Sequence, residues 1–387
     1  MESCDGKSSS KAEITKIISL TKQIKINSPD EYIKGQCMQM CPQEEILMRE
    51  KERLLHVLEM VPGTEKHKKP QSDRSKMVKS FSRSAAGKQL QNPKNLRPPS
   101  VLLETIHYLF DEILLNKRVP WHVTYDFLMD RLRSVRQDMI VQNLSVAASI
   151  CILQPIVRFY AYAAYRLCEE PLVNYDPHIN ETHLQESLKR LLCLYDECDR
   201  LFSNEIISQD SYCIKRLENT RPEFEALYLI LNLGSTTALM RGLSLPVKLR
   251  KNGLVQKAIS LSMSYCKNNF VRVCYEIPTF SVLLQGVVAA IHLPEIRRKA
   301  LNIMSVAYHC KNSAYPLLVL KKLLLYNDLN EVVSDCNYFG LKCDKITNVH
   351  FIKTDFDNSK IKVPSTHLKT IDAEFENVKI SDLILNG

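Results

Sequence analysis

From Ser100 to about residue 310 the apolar residues return every three or four positions, as in Leu102, Ile106, Leu109, Ile113 and Leu114. A chain patterned this way must bury one stripe of each helix against neighbouring helices, which confines it to a mainly α architecture. Turn residues agree, because 10 glycines and 17 prolines among 387 residues are too few for a sandwich or a doubly wound sheet.

The spacing predicts helices from Ser100 to Leu114, from Trp121 to Gln142, and near 145–168, 180–203, 209–219, 222–233, 246–265, 268–275, 279–291 and 295–310. Stop signals fall between these segments, at Pro171, the Asn180 cap, Gly234, Gly242 before Pro246, Pro278 and Pro294. Residues 100–310 therefore read as stacked helical hairpins of the TPR-like kind. No strict repeat period is visible, so a compact irregular bundle is the alternative.

The flanks differ in character. Residues 1–34 read as a flexible N-terminal arm with one apolar patch at Ile14, Ile17, Ile18 and Leu20. Within 35–63, Pro42 opens a helix with Glu44 and Glu45 in its first turn, and Leu47, Leu54, Leu55 and Leu58 form its apolar stripe. Residues 64–99 lose hydrophobic periodicity and collect ten lysines and arginines, from Lys66 to Arg97, which reads as a basic loop. Residues 311–353 hold two short helices, Pro316–Tyr326 and Leu329–Phe339, then Gly340 and two β-prone runs, Leu341–Cys343 and Ile346–Ile352; that order predicts a winged helix. Residues 354–387 read as an acidic, weakly apolar C-terminal tail, whose closing segment Ile380–Leu385 either docks back or interacts elsewhere.

Several function classes lack their residues. The polar start, Met1 to Thr15, has no apolar secretory core, so the thirteen cysteines are expected to be reduced. The most apolar stretch, Val146–Tyr165, carries Gln154, Pro155 and Arg158, and reads as a buried helix pair rather than a membrane span. No Walker loop, nucleophile elbow, His-Glu-x-x-His or dinucleotide fingerprint occurs. Cys37 and Cys41 are not completed to a tetrahedral metal set by a second Cys or His pair, and Cys193 with Cys198, or His178 with His183, match no ligand spacing. The expectation is a non-enzymatic chain with no cofactor.

Charge is the remaining lead, since the formal net charge is +9. The run from Tyr125 to Asp138 interleaves acids with Arg131, Arg133 and Arg136, which either pair within the helix or present guanidinium forks to an acidic partner or to phosphates. The basic loop reads as a solvated linker or as an electrostatic arm for RNA, DNA or acidic protein. On the winged helix, Lys321, Lys322, Lys342 and Lys345 are candidate nucleic-acid contacts, although such modules also pair with proteins.

One family likeness follows from the motifs. Gly35-x-Cys37-x-x-Met40-Cys41-Pro42 with Glu44, Glu45, Arg49 and Glu50 resembles the opening motif of the Sac-three/GANP family, and Val61-Pro62-Gly63-Thr64, Leu96-Arg97-Pro98 and the Tyr125–Asp138 run follow in the family's order. Later matches include Cys168-Glu169-Glu170-Pro171, Asn268-Asn269-Phe270-Val271-Arg272 and Ile296-Arg297-Arg298-Lys299-Ala300-Leu301. The resemblance implies a helical stack ending in a winged helix of the PCI type. It further implies partners: a second PCI protein of the Thp-one kind, a small acidic Sem/DSS peptide, and RNA or DNA during nuclear messenger-RNA export. The chain looks most like a short branch of the family linked with centrosome duplication and the spindle. The expected setting is therefore nucleus and cytoplasm, or centrosome and spindle with centrosomal partners.

Overall fold

The computed structural model describes residues 33–83, 91–203, 212–310 and 312–387, which divide into two compact units. The first takes Met1–Val157, Arg190–Glu218 and Ser381–Gly387; the second takes Arg158–Lys189 and Asn219–Ile380. The apolar patch expected in the N-terminal arm lies outside the described residues.

In the first unit, α1 (Gln43–Glu52) begins after Pro42 and stops when Arg53 turns left-handed at φ 57°. This stop breaks the predicted stripe: Leu47 and Leu54 are 49% and 57% exposed, while Leu58 is buried in a separate 3-10 turn, Val57–Glu59. Next, α2 (Pro99–Tyr108) runs into a single π turn, Leu109–Ile113, before α3 (Trp121–Val141). All five apolar residues predicted from Leu102 to Leu114 are buried. The π turn lets Leu109, Ile113 and Leu114 reach one core although their spacing drifts from 3.6.

Three long helices follow: α4 (Val146–Arg166), α5 (Pro177–Ser203) and α6 (Tyr212–Leu231). The stretch read as a buried helix pair is the single helix α4, with Pro155 inside it. It is long and apolar enough to cross a membrane by composition, but most of its apolar window is buried in the protein. Likewise α6 joins two predicted helices through Pro222, because losing one backbone bond costs less than unpacking the buried Phe224, Leu227 and Ile230.

The second unit continues with α7 (Thr236–Ser244), α8 (Val247–Arg250), α9 (Gly253–Cys266), α10 (Phe270–Glu276), α11 (Val282–Ile291) and α12 (Leu293–Ala307). Side chains of Ser235, Asn252 and Asn269 accept first-turn N–H groups at the starts of α7, α9 and α10. Helix α7 escaped the sequence reading because Gly242 looked like a stop; it is instead a buried helical position beside Leu229. The segment predicted as one helix over 246–265 is two, α8 and α9, split at Lys251-Asn252.

A small α/β module closes this series. Strand β1 (Tyr315–Pro316) precedes α13 (Leu317–Leu323) and α14 (Leu329–Tyr338), and β2 (Lys342–Asp344) and β3 (Asn348–His350) follow. The sheet is antiparallel in the order β1-β3-β2, with Tyr315 opposite Val349 and Cys343 opposite Val349 on the other side. The two helices and the last two strands were legible; β1 was not, being only two residues long.

Two flanking expectations are corrected. The described parts of 64–99 are no solvated loop, since Met77, Val78, Leu96 and Arg97 are each at most 1% exposed. The C-terminal stretch is no loose tail either: α15 (Lys369–Glu376) and α16 (Ile380–Asn386) bury Leu368, Ile371 and Ile384. Within the second unit, the Tyr165 hydroxyl accepts from Leu368 N at 2.8 Å and donates to Asp372 at 2.9 Å.

Candidate interaction surfaces

The opening motif, from Gly35 to Pro42, is an internal clamp. Gly35 N–H donates to the Gln142 side chain at 2.9 Å, and Cys37 N–H donates to Leu96 O at 2.9 Å. A Cβ at Gly35 would stand 2.5 Å from Leu96 O, so the close approach of two backbones needs glycine. Met40 O accepts from Lys79 N–H at 3.0 Å and from Arg97 at 3.3 Å. Cys41 packs on Ile46 and Met77, and burial pushes its thiol pKa up, away from reactivity or ready ligation. Among the described residues no three His, Cys, Asp or Glu side chains converge as metal ligands.

Two buried carboxylates bind this clamp to α3. Glu59, fully buried, accepts from both Arg49 and Arg131, and also from Val78 N–H at 3.0 Å. Burial is the largest single influence on the Arg49 pKa and lowers it, but the charge and hydrogen bond of Glu59, together with the charges of Cys41 and Glu45, raise it overall. Asp138 accepts from Arg97 Nε at 2.7 Å and from Lys79 Nζ at 2.7 Å, while Arg97 also donates to Ser134 Oγ at 2.8 Å. Arg131, Ser134 and Asp138 recur at three- and four-residue steps, so one face of α3 presents all three.

The arginines of α3 thus divide. Arg131, 6% exposed, serves Glu59 and Asp130 and is not a presented cation. Arg133 lies over the Phe81 ring at 3.9 Å, half-buried, and Arg136 is half-buried too. Sequence reasoning grouped these three by type; what it missed was the buried set Glu59, Lys79, Arg97 and Asp138. Arg97 between Leu96 and Pro98 was the available signal, because a charge inside an apolar non-helical stretch needs a partner.

The lysines of residues 315–351 behave differently. Lys322, Lys342 and Lys345 are exposed and Lys321 is half-buried. Lys342 stands 3.8 Å from Asp355, whereas Lys322 and Lys345 have no ion pair with a described residue. Beside them, α13 exposes Leu318 at 54% and Val319 at 42%, and the β2–β3 turn exposes Ile346 at 54%. Apolar and cationic groups therefore share one small module.

Comparison with known proteins finds a family model, described as SAC3/GANP family, that matches residues 40–345. The chain is 27% identical over 378 residues to SAC3 family protein 1 of Schizosaccharomyces pombe, covering 91% of this chain and 35% of that protein. It is 24% identical over 343 residues to Protein xmas of Drosophila melanogaster, covering 83% of this chain and 15% of that one. SAC3 family protein B of Arabidopsis thaliana is 28% identical over 168 residues, 42% of this chain and 9% of that protein. The chain thus spans about a third or less of the curated relatives it matches.

Proposed function

Because the chain belongs to the SAC3/GANP family, we propose that it is a non-enzymatic scaffold whose residues 315–351 form a PCI-type winged helix. In this reading the module docks on the like module of a second PCI protein of the Thp-one kind. A small acidic Sem/DSS peptide completes the assembly, and the lysines of residues 315–351 contact nucleic acid in nuclear messenger-RNA export.

One observation carries the reading: two helices are enclosed by a three-stranded antiparallel sheet in the order β1-β3-β2, with Leu318, Val319 and Ile346 exposed beside Lys322 and Lys345. Strand β2 is an edge followed by the exposed Ile346, and an open edge favours pairing with another chain. The cations suit phosphates without selecting bases.

The test separates the two contacts. In a chain co-expressed with a PCI partner, Leu318→Glu with Ile346→Glu is expected to weaken co-purification by about thirtyfold, on the order of 2 kcal/mol, without changing the melting temperature. Lys322→Glu with Lys345→Glu should leave the partner bound while RNA affinity of the complex falls and its salt dependence flattens. A partner retained by the Leu318/Ile346 variant would refute the docking edge.

A further inference from the structure

Residues 50–74 of the first unit enclose an open cleft of about 660 Å³ that the docking module does not involve. Leu55, Met60 and Pro70, all half-buried, supply apolar surface to its lining. Its rim carries Lys51, Arg53 and Lys69, all exposed and without an ion pair to a described residue. The one acid at the rim, Glu50, is already engaged by Arg74 at 2.7 and 2.9 Å and by the Ser72 hydroxyl, which holds its carboxyl below the usual range. Cationic and apolar side chains thus share the lining of the cleft.

The walls are set before any ligand arrives. Val61 N–H donates to Gln71 O at 2.9 Å and Asp73 N–H to Glu59 O at 2.8 Å, so an antiparallel bridge ties lining residues Met60 and Ser72 together. Thr64 Oγ1 bridges Val61 O and Gln71 N–H at 2.8 and 3.2 Å. The bridge is rooted at Glu59, whose side chain is held by Arg49 and Arg131, and α1 ends with Arg53 turned out by its left-handed backbone. A preformed cleft avoids the ordering cost that a flexible basic loop would incur on binding.

We propose that this cleft binds a short peptide segment of a partner protein in which carboxylates alternate with apolar side chains. Lys51, Arg53 and Lys69 interspersed with Leu55, Met60 and Pro70 match alternating Glu or Asp and Leu or Met, the apolar residues meeting the apolar side chains and the carboxylates meeting the cations. Single-stranded nucleic acid fits less well, because none of the residues around the cleft is aromatic and no ring is available for base stacking.

The experiment uses the full chain and a fluorescein-labelled synthetic peptide alternating glutamate with leucine, read by fluorescence polarisation. Lys51→Glu/Arg53→Glu/Lys69→Glu, three exposed positions, should keep the circular dichroism spectrum and lower affinity at least about tenfold. A glutamine–leucine and a glutamate–serine peptide should each bind more weakly than the parent. No binding of the parent peptide, binding indifferent to the triple change, or oligouridine bound through the same three residues as tightly as the peptide would each overturn the proposal. Because residues 315–351 are untouched, the result is independent of the docking test.

Discussion

Asp138→Asn is expected to destabilise the first unit by about 3–5 kcal/mol, the cost typical of removing one partner from a buried ion pair. Asp138 and Arg97 are both fully buried, and Lys79 keeps 11% of its side chain exposed, so one neutral amide would leave two cations with little water. The amide keeps shape and can still accept one bond, which makes charge the variable. Urea unfolding followed by circular dichroism measures the loss, and limited proteolysis between residues 64 and 99 should report local release. Arg97→Met combined with Asp138→Leu, which removes both charges, should recover much of the stability. Were Asp138→Asn to cost less than about 1 kcal/mol, the clamp would owe its order to Met77, Val78 and Leu96 rather than to charge.

The second large effect concerns Gly340→Ala. Gly340 has φ +87°, and a Cβ there would stand 2.3 Å from Asp355 O, a backbone atom that cannot swing aside. The left-handed backbone alone costs about 1–2 kcal/mol for a residue with a Cβ. The collision adds to this, and relieving it means breaking the Asp357 N–H to Phe339 O bond of 2.9 Å. Hydrogen exchange in β2 and β3 should therefore accelerate strongly while the rest of the chain stays protected. Gly63→Ala is the control: its φ is +89° but nothing lies within 4 Å, so only the backbone part should be seen. Equal effects at the two glycines would contradict the steric argument.

The helical series was legible because a 3.6-residue period survives whenever one helix face is buried; α3, α4 and α5 fall within a few residues of their predicted bounds. Prolines and glycines misled at Pro222, which α6 absorbs, and at Gly242, which sits inside α7, since packing outweighed a local breaker. The segment 64–99 was opaque for a different reason. In its described part Lys79 and Arg97 pair with the one distant carboxylate of Asp138, and pairing across such separations leaves no periodic trace. In the terminal module the exposed lysines could be listed from sequence, but their apolar neighbours Leu318 and Ile346 needed the fold to separate them from the buried Leu317 and Leu320.

The partners that Asp138 captures lie 41 and 59 residues earlier in the chain. During synthesis, Lys79 and Arg97 leave the ribosome before α3 and must wait for it to meet the Asp138 countercharge, whereas Arg49 finds Glu59 within its own segment. Until then those two cations have no Asp138 to pair with, and the backbone around them is open to a chaperone or a protease. Maturation of the N-terminal region is thus timed by the appearance of a helix encoded well downstream of it.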